Sequence, residues 1–237
     1  ELGIGLCQRL GGEVVSCYSM QVYRGLPIGT AQPTPEELAA APHHLIGFLD
    51  VNQPFSVSDY VEAAGEVIQG IRARGKFPVL VGGTGLYARS LLRGFSFEEN
   101  GRDEALRQKV FRRAEEQGAD ALYRRLQELD PKAAEEIHPH NVKRVVRALE
   151  YIQLCGEPFS QQAERSRTAQ SPYQYVMLCL TYRDREALYR RIDQRVDRML
   201  EQGLLEEARL FFNRCQGSER IPTAAQAIGY KELFPYF

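Results

Sequence analysis

The sequence has no apolar run near the ~20 residues that a bilayer-spanning helix needs, so a helical membrane protein is not expected. Cysteines are few and poorly placed for pairing. Cys7, Cys17, Cys155, Cys179 and Cys215 form an odd, scattered set without a CxxC pair. That argues against a disulfide framework and a zinc site, and for a reducing, cytoplasmic setting. The opening ELGIGLCQRLGG lacks a basic n-region and a small-residue cleavage site, so no cleavable signal is expected there. Excess charge is missing too. The net charge is −1, and the molecule as a whole does not draw nucleic acid. Lysine is scarce, with only Lys76, Lys109, Lys132, Lys143 and Lys231 among thirty cationic residues. The rest are Arg, the better planar phosphate ligand, although GC-rich coding gives the same bias.

What is present is an ordinary soluble profile over 237 residues, enough for a large domain or a core with an insertion. Leu2, Leu6 and Leu10 repeat at helical spacing up to Gly11-Gly12, and nothing precedes Glu1 to cap that helix. EVVSC (13–17) reads as a buried strand. A helix follows a polar, Pro-containing stretch, with Val61, Ala64, Ile68 and Ile71 as its stripe and Ser58 as its cap. FPVLVGGTGLYARSLL gives a strand (78–81), a glycine turn (82–85) and a helix. This order predicts a parallel α/β sheet. Charged amphipathic helices occupy 102–129 and 133–155, broken near Gly118 and at HPHN. YQYVMLCLTY (173–182) predicts a return to a buried strand. A helix follows it, with Leu188, Ile192, Val196 and Met199 buried and Gly203 as its stop, and then LLEEARLFFNRC predicts one more. The expected organisation is an α/β core, 1–93 and 173–237, with an all-helical insertion at 94–172.

VLVGGTGLY is the strongest local signal. Open N–H groups and a hydroxyl at a helix start suit an anion or a sugar-phosphate backbone. The same residues also make a tight turn with Thr84 as a helix cap. SCYSMQVYRG (16–25) follows a strand, on the same sheet edge if the strands are parallel. Ser19 and Gln21 carry groups that can read a base edge, while Met20 and Tyr23 can stack or pack; an ordinary surface turn has the same composition. HPHNVKRVVRALEY puts Lys143, Arg144 and Arg147 in the first turns of a helix, which can track phosphates or be a solvated face. Arg191, Arg195 and Arg198 form a ladder that can reach a pyrophosphate or pair with Asp193, Asp197 and Glu201. His138 and His140 lack partners for a metal site.

Together, SCYSMQVYRGLPIGTAQPTPEE, APHHLIGFLDVNQPFSVSDY, PVLVGGTGLY, HPHNVKRVVRALE and RVDRMLEQGLLEEA…AIGYKEL occur in that order. Over essentially its whole length the chain resembles the tRNA dimethylallyltransferase (isopentenyl-diphosphate:tRNA transferase) family. The resemblance implies a P-loop-type α/β core and a helical insertion that grips the tRNA anticodon stem-loop. It implies transfer of a dimethylallyl group from dimethylallyl diphosphate to N6 of the adenosine 3′ of the anticodon, with the base flipped out and Mg²⁺ at the diphosphate. It also implies a cytoplasmic, ATP/nucleotide-binding-type monomer. By the same resemblance, Ser19, Met20 and Gln21 recognise the acceptor base, and Thr84 touches the tRNA beside the reaction. Arg107, Lys143, Arg144, Val145, Val146 and Arg147 face RNA in the insertion. Gln226, Ala227, Ile228, Gly229, Tyr230 and Lys231 face it from the C-terminal stretch. Arg191 or Arg195 holds the diphosphate.

Three departures bear on activity. The family loop GPTxxGK[ST], expected just before Glu1, is not in these residues, so the metal-binding position is unknown and the chain is expected to be a cut one. The Asp that opens the family DSMQ motif, its general base, is Tyr18 here, and a phenol is a poor base at neutral pH. Gln32 stands where the family has Lys. Reduced or absent catalysis is therefore expected. The alternatives are a non-catalytic RNA-binding relic and a prenyltransferase of the same fold acting on free adenine nucleotides.

Overall fold

The computed structural model describes residues 1–94, 104–168, 170–216 and 222–237. Their contacts divide into two units, Glu1–Leu91 with Gln174–Phe237, and Leu92–Tyr173.

The first unit is built on Val14 and Val15, buried in the middle strand β1 (Gly12–Ser16). Parallel β2 (His43–His44) and β3 (Phe77–Val81) flank it in the order β2-β1-β3, with Ser16 beside Val81. Parallel pairing requires crossovers. They are α2 (Pro35–Ala40) between β1 and β2, and α3 (Val57–Ala73) between β2 and β3. Ser56, not Ser58, caps α3. Its Oγ accepts from the Asp59 N–H, and the Asp59 carboxylate accepts from the Ser56 N–H, a reciprocal arrangement that a cap at Ser58 lacks. Tyr60, Ala64, Ile68 and Ile71 are its buried face.

Helix α1 (Leu2–Leu10) forms as expected and ends on left-handed Gly11, but it turns another face inward. Leu2 and Leu10 are about half exposed, while Cys7 is buried and Ile4 packs beside it. Gly3 is the close contact, since a Cβ there would lie 2.6 Å from a Val81 methyl.

Glu13 on β1 is buried between two side-chain partners, Arg74 at 2.7 Å and His44 Nε2 at 2.7 Å. The Arg74 hydrogen bond, against the cost of burial and with help from His44, holds its carboxyl below the usual range. A depressed folded pKa stabilises above the unfolded value of about 4.3 and stops stabilising as pH falls through the folded value. Glu13→Gln is therefore expected to cost about 2 kcal/mol at pH 7 and progressively less below pH ~4. Thermal unfolding across pH checks this; a cost that stays constant into acid contradicts it.

After β1 the chain runs into a second core. Val22, Tyr23, Leu26 and Val51 pack with Leu204, Ala208 and Phe211 of α11 (Leu204–Cys215), and with Ala224, Ala225 and Tyr230. Two expectations fail nearby. No strand forms at 173–182, where Val176 is 88% and Leu180 81% exposed. An apolar run becomes a strand only where another strand takes its backbone groups, and none of the three described strands pairs with it. Helix α10 (Arg185–Glu201), capped by Asp184, does form, yet none of its residues is buried. Ile192 and Val196 are almost half exposed, and of the expected stripe Met199 packs against the second core.

The second unit comprises α5 (Glu104–Gln117), α6 (Ala119–Leu129), α7 (Pro131–Glu136), α8 (Val142–Cys155) and α9 (Phe159–Thr168). Gly118, at φ 84°, breaks α5 from α6. The described part of 94–172 is helical, although the start expected for α5 at Arg102 lies outside the described residues. Val110, Leu122, Leu126, Val145, Val146 and Leu149 are at the heart of its core. Buried Asp130 caps α7 through the Ala133 N–H and accepts from both the backbone and the hydroxyl of Ser160. Glu150 is 1% exposed beside Arg147 at 3.2 Å and Arg107 at 3.9 Å. Removing a buried partner costs more than forming the pair gains. Glu150→Ala is expected to destabilise this unit by about 3 kcal/mol, the low end for buried pairs because both arginines reach solvent. Chemical denaturation measures it; a loss under about 1 kcal/mol contradicts it.

Candidate functional site

Register places the two motifs side by side. Because Ser16 pairs with Val81, the loops that leave the carboxyl ends of β1 and β3 start together. Cys17 N–H donates to the Val81 carbonyl at 2.7 Å, and Thr84 N–H donates to the Cys17 carbonyl at 3.0 Å. The Thr84 Oγ1 accepts from the Ser19 N–H at 3.0 Å and donates to Ser19 Oγ at 3.4 Å. Thr84 thus ties the loops together, and its carbonyl accepts from the Ala88 N–H at 3.1 Å where the following helix starts. Gly82 is required by this closeness: a Cβ there would lie 2.3 Å from the Cys17 carbonyl oxygen. A Cβ on Gly83 would meet the Tyr18 ring at 3.3 Å.

Beneath the loops the packing is aromatic. Tyr60 and Tyr87 stack with ring centroids 4.2 Å apart, and the Tyr60 hydroxyl donates to the Ser16 carbonyl at 3.1 Å. Burial pushes the Tyr60 phenol up, and pushes Tyr87 up to about 12. Burial also raises the Cys17 thiol, whose Sγ donates to the Thr84 carbonyl, so it stays a neutral packing group.

Above them, Tyr18 is 41% exposed and borders a cavity of about 120 Å³, with Ser16, Gln21, Ala31, Glu37 and His43 among its walls. Ser19 is half-buried beside Thr84. The other two motif residues turn inward. Met20 packs against the second core. Gln21 is 8% exposed; its amide donates to the Ala31 carbonyl at 2.7 Å and the Thr30 carbonyl at 3.2 Å, and its oxygen accepts from Ser16 Oγ at 3.0 Å. An amide so engaged has both donors spent within the fold. Gln32, in the family's Lys position, donates to the Gln21 and Tyr23 carbonyls.

The C-terminal stretch divides in the same way. Gln226, Ile228 and Lys231 are exposed and Gly229 is half-buried, whereas Ala227 and Tyr230 are core residues. Arg191 and Arg195 stand exposed on one face of α10. In the helical unit Lys143 and Arg144 are exposed at the start of α8, capped by Asn141, and Arg147 and Arg107 converge on Glu150. Val145 and Val146, expected at an RNA face, are buried, because α8 turns its apolar stripe to the core. The sequence reading missed a groove of about 600 Å³ in this unit, bordered by Arg113, Arg124 and Arg125. Only the fold brings those arginines together from α5 and α6. No group of three or more His, Cys, Asp or Glu side chains that could hold a metal occurs among the described residues.

The chain is similar to known proteins over nearly its whole length. The family model for IPP transferase matches residues 21–237. The tRNA dimethylallyltransferase of Geobacillus kaustophilus is 47% identical over 239 residues, spanning 100% of this chain and 74% of that protein. The Lactiplantibacillus plantarum enzyme of the same name is 47% identical over 238 residues, with the same coverage. Among solved structures, the tRNA isopentenylpyrophosphate transferase of Bacillus halodurans aligns with TM-score 0.66 at 44% identity, covering 98% of this chain and 71% of that one. A eukaryotic dimethylallyltransferase acting on tRNA aligns with TM-score 0.83 at 30% identity, covering 99% and 59%. With nearly the whole chain matched at this identity, the protein belongs to the IPP transferase family, the family of the tRNA dimethylallyltransferases.

Proposed function

We propose that this chain transfers a dimethylallyl group from dimethylallyl diphosphate to N6 of the adenosine 3′ of the anticodon in tRNA. The observation that carries the reading is the Thr84 bridge, which joins the loop bearing Tyr18 and Ser19 to the GGTG turn at the carboxyl ends of adjacent parallel strands. Ligands of open parallel sheets bind at that edge. In the reaction a C–N bond forms to N6 as the allylic C–O bond to diphosphate breaks, and N6 loses a proton. An exocyclic amine is a poor nucleophile, so aiming it and removing its proton are the protein's tasks.

Tyr18 and Ser19, with Thr84, are the groups that meet the acceptor base. Gln21 and Met20 set the loop's shape from behind. Tyr18 stands where the base of the reaction belongs and supplies a phenol, so transfer by this chain is slow. Exposed Lys143 and Arg144, with the Arg107–Arg147 pair over Glu150, serve RNA phosphates, while exposed Gln226, Ile228 and Lys231 of the C-terminal stretch face the tRNA. Arg191 and Arg195 serve the diphosphate, whose departure needs its charge neutralised. Mg²⁺ is implied by the family likeness, and the described side chains include no cluster of three or more His, Cys, Asp or Glu to hold it. The family likeness and the absence of a described membrane-spanning helix fit a cytoplasmic protein acting on tRNA.

The test uses radiolabelled dimethylallyl diphosphate with two anticodon stem-loops, one carrying adenosine and one guanosine at the acceptor position. Label is expected on the adenosine RNA alone. Equal labelling of both, or none after exhaustive single-turnover incubation, overturns the reading.

A further inference from the structure

Glu207 lies on α11, within the RVDRMLEQGLLEEA stretch and far in sequence from SCYSMQVYRG, yet its carboxylate is built into the turn that follows the site loop. Its Oε2 accepts from the Ile28 N–H at 3.0 Å and its Oε1 from the Gly29 N–H at 2.9 Å. The buried Tyr230 hydroxyl also donates to Oε1. Three donors from two distant segments thus meet on one side chain. Gly29 is needed for the approach, because a Cβ there would lie 2.5 Å from the Tyr230 ring. The next two residues of the turn, Thr30 and Ala31, offer the carbonyls that hold the Gln21 amide. Gln21 closes the path by accepting from Ser16, the residue from which the site loop departs.

We infer that Glu207 is a positioning residue for the acceptor base: it fixes the turn at 28–31, which fixes Gln21, and so sets the loop carrying Tyr18 and Ser19. This rests on the proposed function, because it assumes that the loop meets an adenine. The loop is held on one side by Thr84 and on the other by this relay. An isosteric Glu207→Gln has one oxygen left for three donors and turns an NH₂ toward a backbone N–H. The turn then loosens while the packing volume stays the same.

The experiment measures binding of two stem-loop RNAs that differ only at the acceptor position, adenosine against inosine, which replaces the exocyclic amine by a carbonyl. The unaltered protein is expected to prefer adenosine by roughly tenfold, the scale of one well-placed base contact. Glu207→Gln is expected to bring that preference to within about twofold while leaving affinity for the inosine RNA unchanged within about twofold, since phosphate contacts carry that affinity. A uniform loss of affinity for both RNAs marks a merely structural role and overturns the inference. So does an unchanged preference. If Glu207→Gln does not fold, Tyr230→Phe, which deletes one donor and keeps the ring, decides the matter: a preference reduced about threefold supports the relay, and a full preference overturns it. A lack of preference in the unaltered protein overturns the proposed base recognition itself, and the inference with it. That failure is seen without any variant and is thus distinct from the others.

Discussion

Replacing Tyr18 by Asp is expected to raise the single-turnover rate of dimethylallyl transfer to tRNA by about 100-fold or more. A positioned general base contributes roughly 10²–10⁴-fold, and a phenol is a poor substitute for a carboxylate in that role. The backbone there needs no alteration. Tyr18 is separated from β1 only by Cys17, its neighbours are held by the Val81 and Thr84 hydrogen bonds, and those bonds use no Tyr18 side-chain atom. The ring is 41% exposed, so its loss costs little stability, within about 0.5 kcal/mol. Tyr18→Asn separates two causes. It clears the ring but supplies no base, and it is expected to leave the rate within a few-fold of the starting protein. A rise with Asn equal to that with Asp would mean that the ring obstructs the site, and no rise with Asp would mean that the base lies elsewhere.

The second large effect is structural. Gly82→Ala is expected to destabilise the first unit by about 3 kcal/mol, the upper range for inserting a methyl group into a filled space. The new Cβ would lie 2.3 Å from the Cys17 carbonyl oxygen and 2.4 Å from its carbon, both backbone atoms of the neighbouring loop. Relief requires the loops to part, which breaks the Thr84 N–H bond to that same carbonyl. For a unit of this size the change lowers the unfolding midpoint by roughly 6–12 °C. Preference for the adenosine stem-loop should fall with it. Gly85→Ala is the matched control, since nothing lies within 4 Å of its Cβ at the start of α4 (Gly85–Leu92). Equal midpoints for the two variants would contradict the interlocked geometry.

Much of this arrangement can be read in the residues, and the exceptions have physical causes. β1, α3, β3 and the glycine turn follow from local pattern, and so do the breaks at Gly118 and HPHN. The pairing of Tyr18's loop with the GGTG turn follows once the strands are parallel. The apolar run at 173–182 has the composition of a strand, but composition cannot supply the neighbour that makes it one. On α10, Ile192 and Val196 stay about half exposed, while Met199 finds the second core. Gln21 and Tyr230 show the opposite error. Both are polar residues in motifs that suggest contact with RNA, yet each is held inside by groups brought from elsewhere, Gln21 by Thr30 and Ala31, and Tyr230 by Glu207. Val145 in the basic helix start is likewise a core residue, since a motif string does not say which face a residue occupies. Glu207 was out of reach of sequence reasoning, because its donors, Ile28, Gly29 and Tyr230, meet only after folding.

The most direct test of the central claim is the identity of the product. The protein is incubated with dimethylallyl diphosphate, an anticodon stem-loop and adenosine monophosphate together, and the RNA is digested for mass analysis of its nucleosides. The account predicts one C₅H₈ unit added to the adenosine 3′ of the anticodon, slowly with Tyr18 and faster with Asp in its place. Prenylated adenosine monophosphate with unmodified RNA, for either protein, would contradict it.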